Sequence, residues 1–265
     1  MKRIALHSVP RSGSSWVGSL LNAHEQVMYR FQPLFSDSFD AMINENSSKF
    51  EIIRFFDEMK RSSDPFINQL SFNNPQKEIK TDREILVYKE VRYHHLLENM
   101  LEQDEELIVI GLIRNPLAVI HSWLNAPKEF RKDLGWRELE EWEFADKKNK
   151  GRKEEYNGYA KWKEAAQLFE RLKLKYNSRF YLLNYNTLLA DTHLELIKLF
   201  DFLGVEFTID VTQFINDTQS KNDDDKYSVY RTKKEDNDWV NGLNPIIVKK
   251  ISEDLKTHHL SHYNL

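Results

Sequence analysis

The sequence predicts an α/β fold with a central parallel sheet and helices on both faces. Three observations predict it. Segments rich in β-formers alternate with helical patterns along the chain, the order that crossover-connected parallel strands require. One β-segment, residues 106–113 (ELIVIGLI), is a near-continuous apolar run, as a strand covered on both faces must be. The first β-segment passes through a short Pro/Ser/Gly turn straight into a helical pattern, a strand–turn–helix unit suited to holding an anion.

The elements follow in order. Strands are predicted at 3–9, 85–91, 106–113 and 179–185, and helices at 14–23, 49–60, 94–101, 117–124, 156–175, 187–203 and 245–258. Gly204, after LIKLFDFL, suits the residue past a helix C-terminus. Two polar stretches, 69–84 and 216–228, predict loops, the second acidic and mobile. No repeat and no interdomain linker interrupts the chain, so residues 1–265 are expected to form a single domain, a common outcome for α/β chains of this length.

Composition excludes several classes. Lys plus Arg number 38 against 42 Asp plus Glu, a formal net charge of −4, without the basic surplus of a nucleic-acid binder. There is no cysteine, hence no disulfide and no thiolate metal site. The apolar run near the N-terminus is too short for a signal segment, and no stretch approaches the ~18 apolar residues of a membrane span. A soluble, cytoplasmic protein is expected.

The turn Pro10-Arg11-Ser12-Gly13-Ser14-Ser15-Trp16 can converge backbone N–H groups on an anion at the positive end of a helix. Gly13 permits close approach, the serines offer hydroxyls and Arg11 a fixed cation. The same residues could serve only as helix caps. The Lys-Ser/Thr pair of an ATP or GTP loop is missing.

This stretch resembles the 5′-phosphosulfate loop of sulfotransferases that use 3′-phosphoadenosine 5′-phosphosulfate (PAPS). LIVIGLIRNPLAVIHSWLN resembles that family's 3′-phosphate motif, with Arg114 leaving a strand end, Pro116 in the first turn of a helix and Ser122 eight residues after Arg114. Tyr185, opening YNTLLADTHLELIKLFDFLGV, matches an aromatic that lies against adenine. Arg231 and Trp239 match a segment in which an arginine closes over the 3′-phosphate. The likeness spans most of the chain and implies a P-loop-NTPase-like three-layer fold.

It also implies an enzyme that moves a sulfuryl group from PAPS to an acceptor hydroxyl or amine and releases adenosine 3′,5′-bisphosphate (PAP), without a metal. Arg11, Ser12, Gly13, Ser14, Ser15, Trp16, Arg114, Ser122, Tyr185 and Arg231 are the expected nucleotide residues. Lys89 and Arg92, spaced Lys-x-x-Arg, resemble the basic pair of carbohydrate sulfotransferases, so a carbohydrate or glycolipid acceptor is expected. Arg11 and Lys89 are assigned to charge stabilisation.

A base must take the acceptor's proton. Many family members carry Glu-Pro downstream of the loop, where this chain has Gln32-Pro33, and an amide accepts no proton. Glu90 is the first choice, with Asp37 and His94 behind it and His95 lower still. Phe31, Phe35 and Phe39 supply aromatic area for an acceptor, though core packing is expected of at least two of them. A nucleotide kinase or NTPase with a degenerate loop and a non-catalytic PAPS-binding module are the competing readings.

Overall fold

The computed structural model describes residues 1–69, 82–220 and 235–264. Five parallel strands form one sheet: β1 (Lys2–His7), β2 (Val27–Phe31), β3 (Ile85–Glu90), β4 (Leu107–Ile113) and β5 (Phe180–Asn184), in the order β2-β3-β1-β4-β5. The register sets Leu6 beside Lys89 and Ile110, so β1 and β3 end level while β4 runs two residues further, to Ile113. Open sheets bind ligands at the carboxyl end of the strands.

Around the sheet lie α1 (Ser14–Asn22), α2 (Lys49–Arg61), α3 (Leu97–Gln103), α4 (Pro116–Leu124) and the short α5 (Glu138–Glu141) and α6 (Asp146–Asn149). They are followed by α7 (Tyr159–Lys175), α8 (Tyr185–Ala190), α9 (Thr192–Leu203), α10 (Ile209–Ser220), α11 (Trp239–Gly242) and α12 (Pro245–Thr257). Alternation along the strands divides the interior into two cores. Ala5, Leu86, Tyr88 and Val109 face α2, α3, α4, α7 and α12. Ile4, Leu6, Val87, Ile110 and Leu183 face α1, α8, α9 and α10. The result is the three-layer α/β sandwich that the sequence predicts, of the P-loop-NTPase-like type.

Three expectations need correction. The strand β2 is additional; its Arg30 is buried, with Nε donating to the Met59 carbonyl at 2.9 Å. The helix expected over 187–203 is two helices, divided at Asp191, whose carboxylate accepts the Leu194 N–H at 3.0 Å and caps α9. Residues 216–220 of the expected 216–228 loop are helical, the last part of α10. Most of both expected loops, together with Arg231, lies outside the described residues. No helix among the described residues is long and apolar enough to cross a membrane.

Candidate active site

A cavity of about 950 Å³ opens at the carboxyl end of the sheet, within the size range of small-molecule sites. Its first wall is the turn between β1 and α1. Arg11 and Gly13 adopt left-handed conformations, with φ of 69° and 89°. No side chain caps α1; the Trp16 N–H donates to the Gly13 carbonyl at 3.0 Å, and Gly13, Ser14, Ser15 and Trp16 line the cavity at the positive end of the helix. A Cβ at Gly13 would lie 2.4 Å from Tyr185 Cε2, so both space and φ demand glycine there. Tyr185, the first residue of α8, meets Trp16 edge-on at 6.0 Å.

The motifs around Arg11 and Arg114 are locked together. Arg11 Nε donates to Ser122 Oγ at 3.1 Å, and Arg114 Nη1 donates to the Arg11 carbonyl at 2.6 Å. Asn115 caps α4 by accepting the Leu117 N–H, with Pro116 in the first turn. The Arg114 guanidinium lies 4.8 Å from the Tyr185 ring centroid, and the Arg114 carbonyl accepts from Trp162 Nε1 at 3.0 Å. One turn, one helix start and one aromatic ring thus hold two arginines side by side.

Sequence reasoning did not anticipate the partner of Arg114. Its Nε and Nη2 donate to the two carboxylate oxygens of Asp236 at 2.6 and 2.5 Å. The Asp236 side chain is 3% exposed. A guanidinium fork fits carboxylate and phosphate alike, so Asp236 occupies the fork that a phosphate would take. Trp239 Nε1 donates to the Asp236 carbonyl at 3.1 Å, and Trp239 lines the cavity. No sequence spacing marks Asp236; it sits in a charged run, KKEDND. Ser12 is buried, does not line the cavity, and its Oγ has no hydrogen-bond partner among the described residues.

The far wall is Lys89, 3% exposed, with Nζ 4.4 Å from the Phe31 ring centroid. Burial pulls its ammonium down to about 8. Phe31, Gln32, Val91 and Arg92 line the cavity with it. The Gln32 N–H donates to the Lys89 carbonyl at 2.8 Å. Arg92 stacks on the Phe35 ring at 4.1 Å, and Phe66 meets both Phe31 and Phe35. Of the three expected phenylalanines, Phe39 packs in the core, Phe31 lines the cavity and Phe35 is exposed.

Glu90 points to the opposite side of its strand from Lys89 and does not line the cavity. It is fully buried, and burial raises its carboxyl to about 7; Oε1 accepts the Val91 N–H at 3.0 Å. Asp37 is exposed and outside the cavity. His94 is buried against His7, Nδ1 to Nδ1 at 2.9 Å, and neither it nor His95 lines the cavity. The cavity instead contains carboxylates that no motif marks: Glu129, 3.7 Å from Arg11 Nη1, and Glu155, paired with Arg92 and Arg152. Among the described residues no group of His, Cys, Asp and Glu could hold a metal ion.

Over residues 1–261 the chain matches the family model described as "Sulfotransferase domain". No curated protein matches it. Solved structures share its fold. A mouse sulfotransferase, SULT7A1, complexed with PAP is 16% identical at a TM-score of 0.60, covering 98% of this chain and 86% of that one. A retinol dehydratase in complex with retinol and PAP is 14% identical at 0.57, covering 97% and 80%. A sulfotransferase domain from the curacin biosynthetic pathway is 18% identical at 0.55, covering 96% and 97%.

Proposed function

The chain belongs to the sulfotransferase domain family, and from that premise we propose that its cavity binds PAPS between the two arginines and passes the sulfuryl group to a carbohydrate hydroxyl. The observation that carries this reading is the fork of Arg114 beside the turn at Arg11–Trp16, two anion-binding positions joined by the Tyr185 and Trp16 rings. A nucleotide phosphorylated at both the 3′ and 5′ positions has the complementary chemistry. In this reading its 3′-phosphate exchanges with Asp236 on Arg114, and its 5′-phosphosulfate lies on the α1 N-terminus.

Catalysis follows from position and charge. The acceptor oxygen attacks sulfur in line, and PAP leaves. Arg11, the turn N–H groups and Lys89 stabilise charge on the leaving oxygen and on the sulfuryl oxygens, which needs no metal. Losing one such donor costs about 10²–10³ in rate. The carbohydrate assignment is supported by the mixed lining of Gln32, Asn125, Asn157 and Arg92 beside Phe31, since sugars are held by hydrogen bonds and one aromatic face. The cysteine-free chain suits a reducing cytoplasm, where we place the reaction.

Thermal unfolding with PAP, ADP and ATP, with and without Mg²⁺, tests the donor site. PAP at about a hundred times its dissociation constant adds roughly 2.7 kcal/mol, about 5–10 °C for a chain near this size. ADP should do far less. Equal shifts, or a Mg²⁺-dependent preference for ATP, would refute the two-anion reading and favour a kinase. Binding without turnover on any acceptor would favour a non-catalytic module.

A further inference from the structure

The proposed transfer needs a group that takes the acceptor's proton, and neither Gln32, an amide, nor Glu90, outside the cavity, can reach it. Four carboxylates line the cavity among the described residues: Glu129, Glu155, Asp236 and Asp238. Asp236 is held by both oxygens on Arg114, at the nucleotide end, and Asp238 lies two residues from it. Glu155 is 1% exposed, its Oε1 held by Arg92 and Arg152 and its Oε2 accepting from Asn157 Nδ2 at 3.2 Å. It orients Arg92. His121, which also lines the cavity, is packed beneath Gly242, where an added Cβ would lie 2.2 Å from its Nε2.

Glu129 differs from the others. Its Oε1 is 3.7 Å from Arg11 Nη1, longer than a hydrogen bond, and its side chain is 23% exposed to the cavity. Its backbone is fixed: the N–H groups of Glu129 and Phe130 both donate to the Ala126 carbonyl at 2.8 Å, and Phe130 is buried against Trp123. A carboxylate on a rigid turn, beside the cation assigned to the sulfuryl group, meets the positional demand on a base.

We propose that Glu129 is the catalytic base of the sulfuryl transfer, a proposal that rests on the sulfotransferase reading above. The acceptor hydroxyl oxygen forms the new bond to sulfur. The bond from sulfur to the 5′-phosphate oxygen breaks, its electron pair staying on PAP. The hydroxyl proton passes to a Glu129 carboxylate oxygen.

The test uses the full chain, PAPS, and a panel of mono- and disaccharides with water as the remaining acceptor. PAP affinity and PAP release are measured separately. Glu129→Gln should keep the PAP dissociation constant within about twofold while release falls at least about 10²-fold. Added formate should restore at least about a tenth of the lost rate to Glu129→Ala, a rescue that a structural role would not give. Unchanged turnover in Glu129→Gln, a parallel loss of PAP affinity, or a folded Glu129→Ala that formate does not rescue would each overturn the assignment. A wild-type chain that binds PAP but releases none from PAPS overturns it as well. Failure of the wild type to bind PAP would instead bring down the sulfotransferase reading itself.

Discussion

Arg114 is paired with Asp236 through both carboxylate oxygens, so a 3′-phosphate held on that fork, as proposed above, would have to exchange with it. Replacing Asp236 by Asn leaves a largely buried guanidinium without its counter-charge, at a cost of about 3 kcal/mol to the ligand-free fold. The same change removes the competitor. The Asp236→Asn variant should therefore unfold at a lower temperature alone yet bind PAP about tenfold more tightly, worth roughly 1.4 kcal/mol. Unchanged PAP affinity in calorimetry would refute the exchange. Lys89 gives a second expectation. Burial brings its ammonium down to about 8, so the cation is present below that pH and lost above it. In the free enzyme kcat/KM for PAPS should fall as pH rises past about 8, and Lys89→Arg should remove that fall. A limb that persists in the variant belongs to another group. At this scale the convergence of Arg11, Arg114, Ser122 and Tyr185 on one cavity was legible because motif spacing ties them to a strand end and a helix start. Asp236, Glu129 and Glu155 were not, since an acidic side chain in a charged run carries no spacing signal.

Elements were legible wherever local pattern and tertiary demand agree. The apolar run of β4 and the Asn-Pro start of α4 each announce themselves. The strand β2 did not, because Arg30 sits in its middle and its burial is made tolerable by carbonyls, among them those of Met59, Lys60 and Tyr29, that folding brings to it. The break between α8 and α9 is carried by one capping aspartate inside a continuous apolar pattern. The turn into α1 yields a prediction at this scale. Gly13→Ala puts a methyl group against the Tyr185 ring and a side chain at φ of 89°, costing about 1–3 kcal/mol in backbone strain alone. Its thermal midpoint should fall, and PAP affinity should drop at least about tenfold as Tyr185 is displaced. Retained PAP affinity would mean that this ring does not shape the nucleotide site.

For the whole molecule, the seam between β1 and the turn before α3 governs acid stability. His7 is buried between His94 and the Tyr88 hydroxyl, and burial lowers its imidazole to about 3, with His95 adding to the effect. Its unfolded counterpart titrates near 6.5, so this stabilisation is complete above pH 6.5 and lost as pH falls toward 3. Glu90 works in the opposite sense, its contribution being complete below pH 4.5 and lost as pH rises through about 7. Urea unfolding should show the two partly cancelling between pH 4.5 and 6.5, with a steep loss below. Glu90→Gln should expose the histidine slope across the whole range. A flat profile in that variant would refute the assignment.

The cavity also has a division of labour along the chain. On the proposed reading the turn at Arg11, the start of α4 and Tyr185 would face the nucleotide, whereas Asn125, Glu129, Lys148, Glu155 and Asn157 all come from one excursion between α4 and α7. Both of those helices are anchored in the same core. Residues 125–157 could therefore be transplanted as a cassette between such proteins, replacing one wall of the proposed acceptor side while Phe31, Gln32 and Arg92, and the proposed donor site, stay with the recipient.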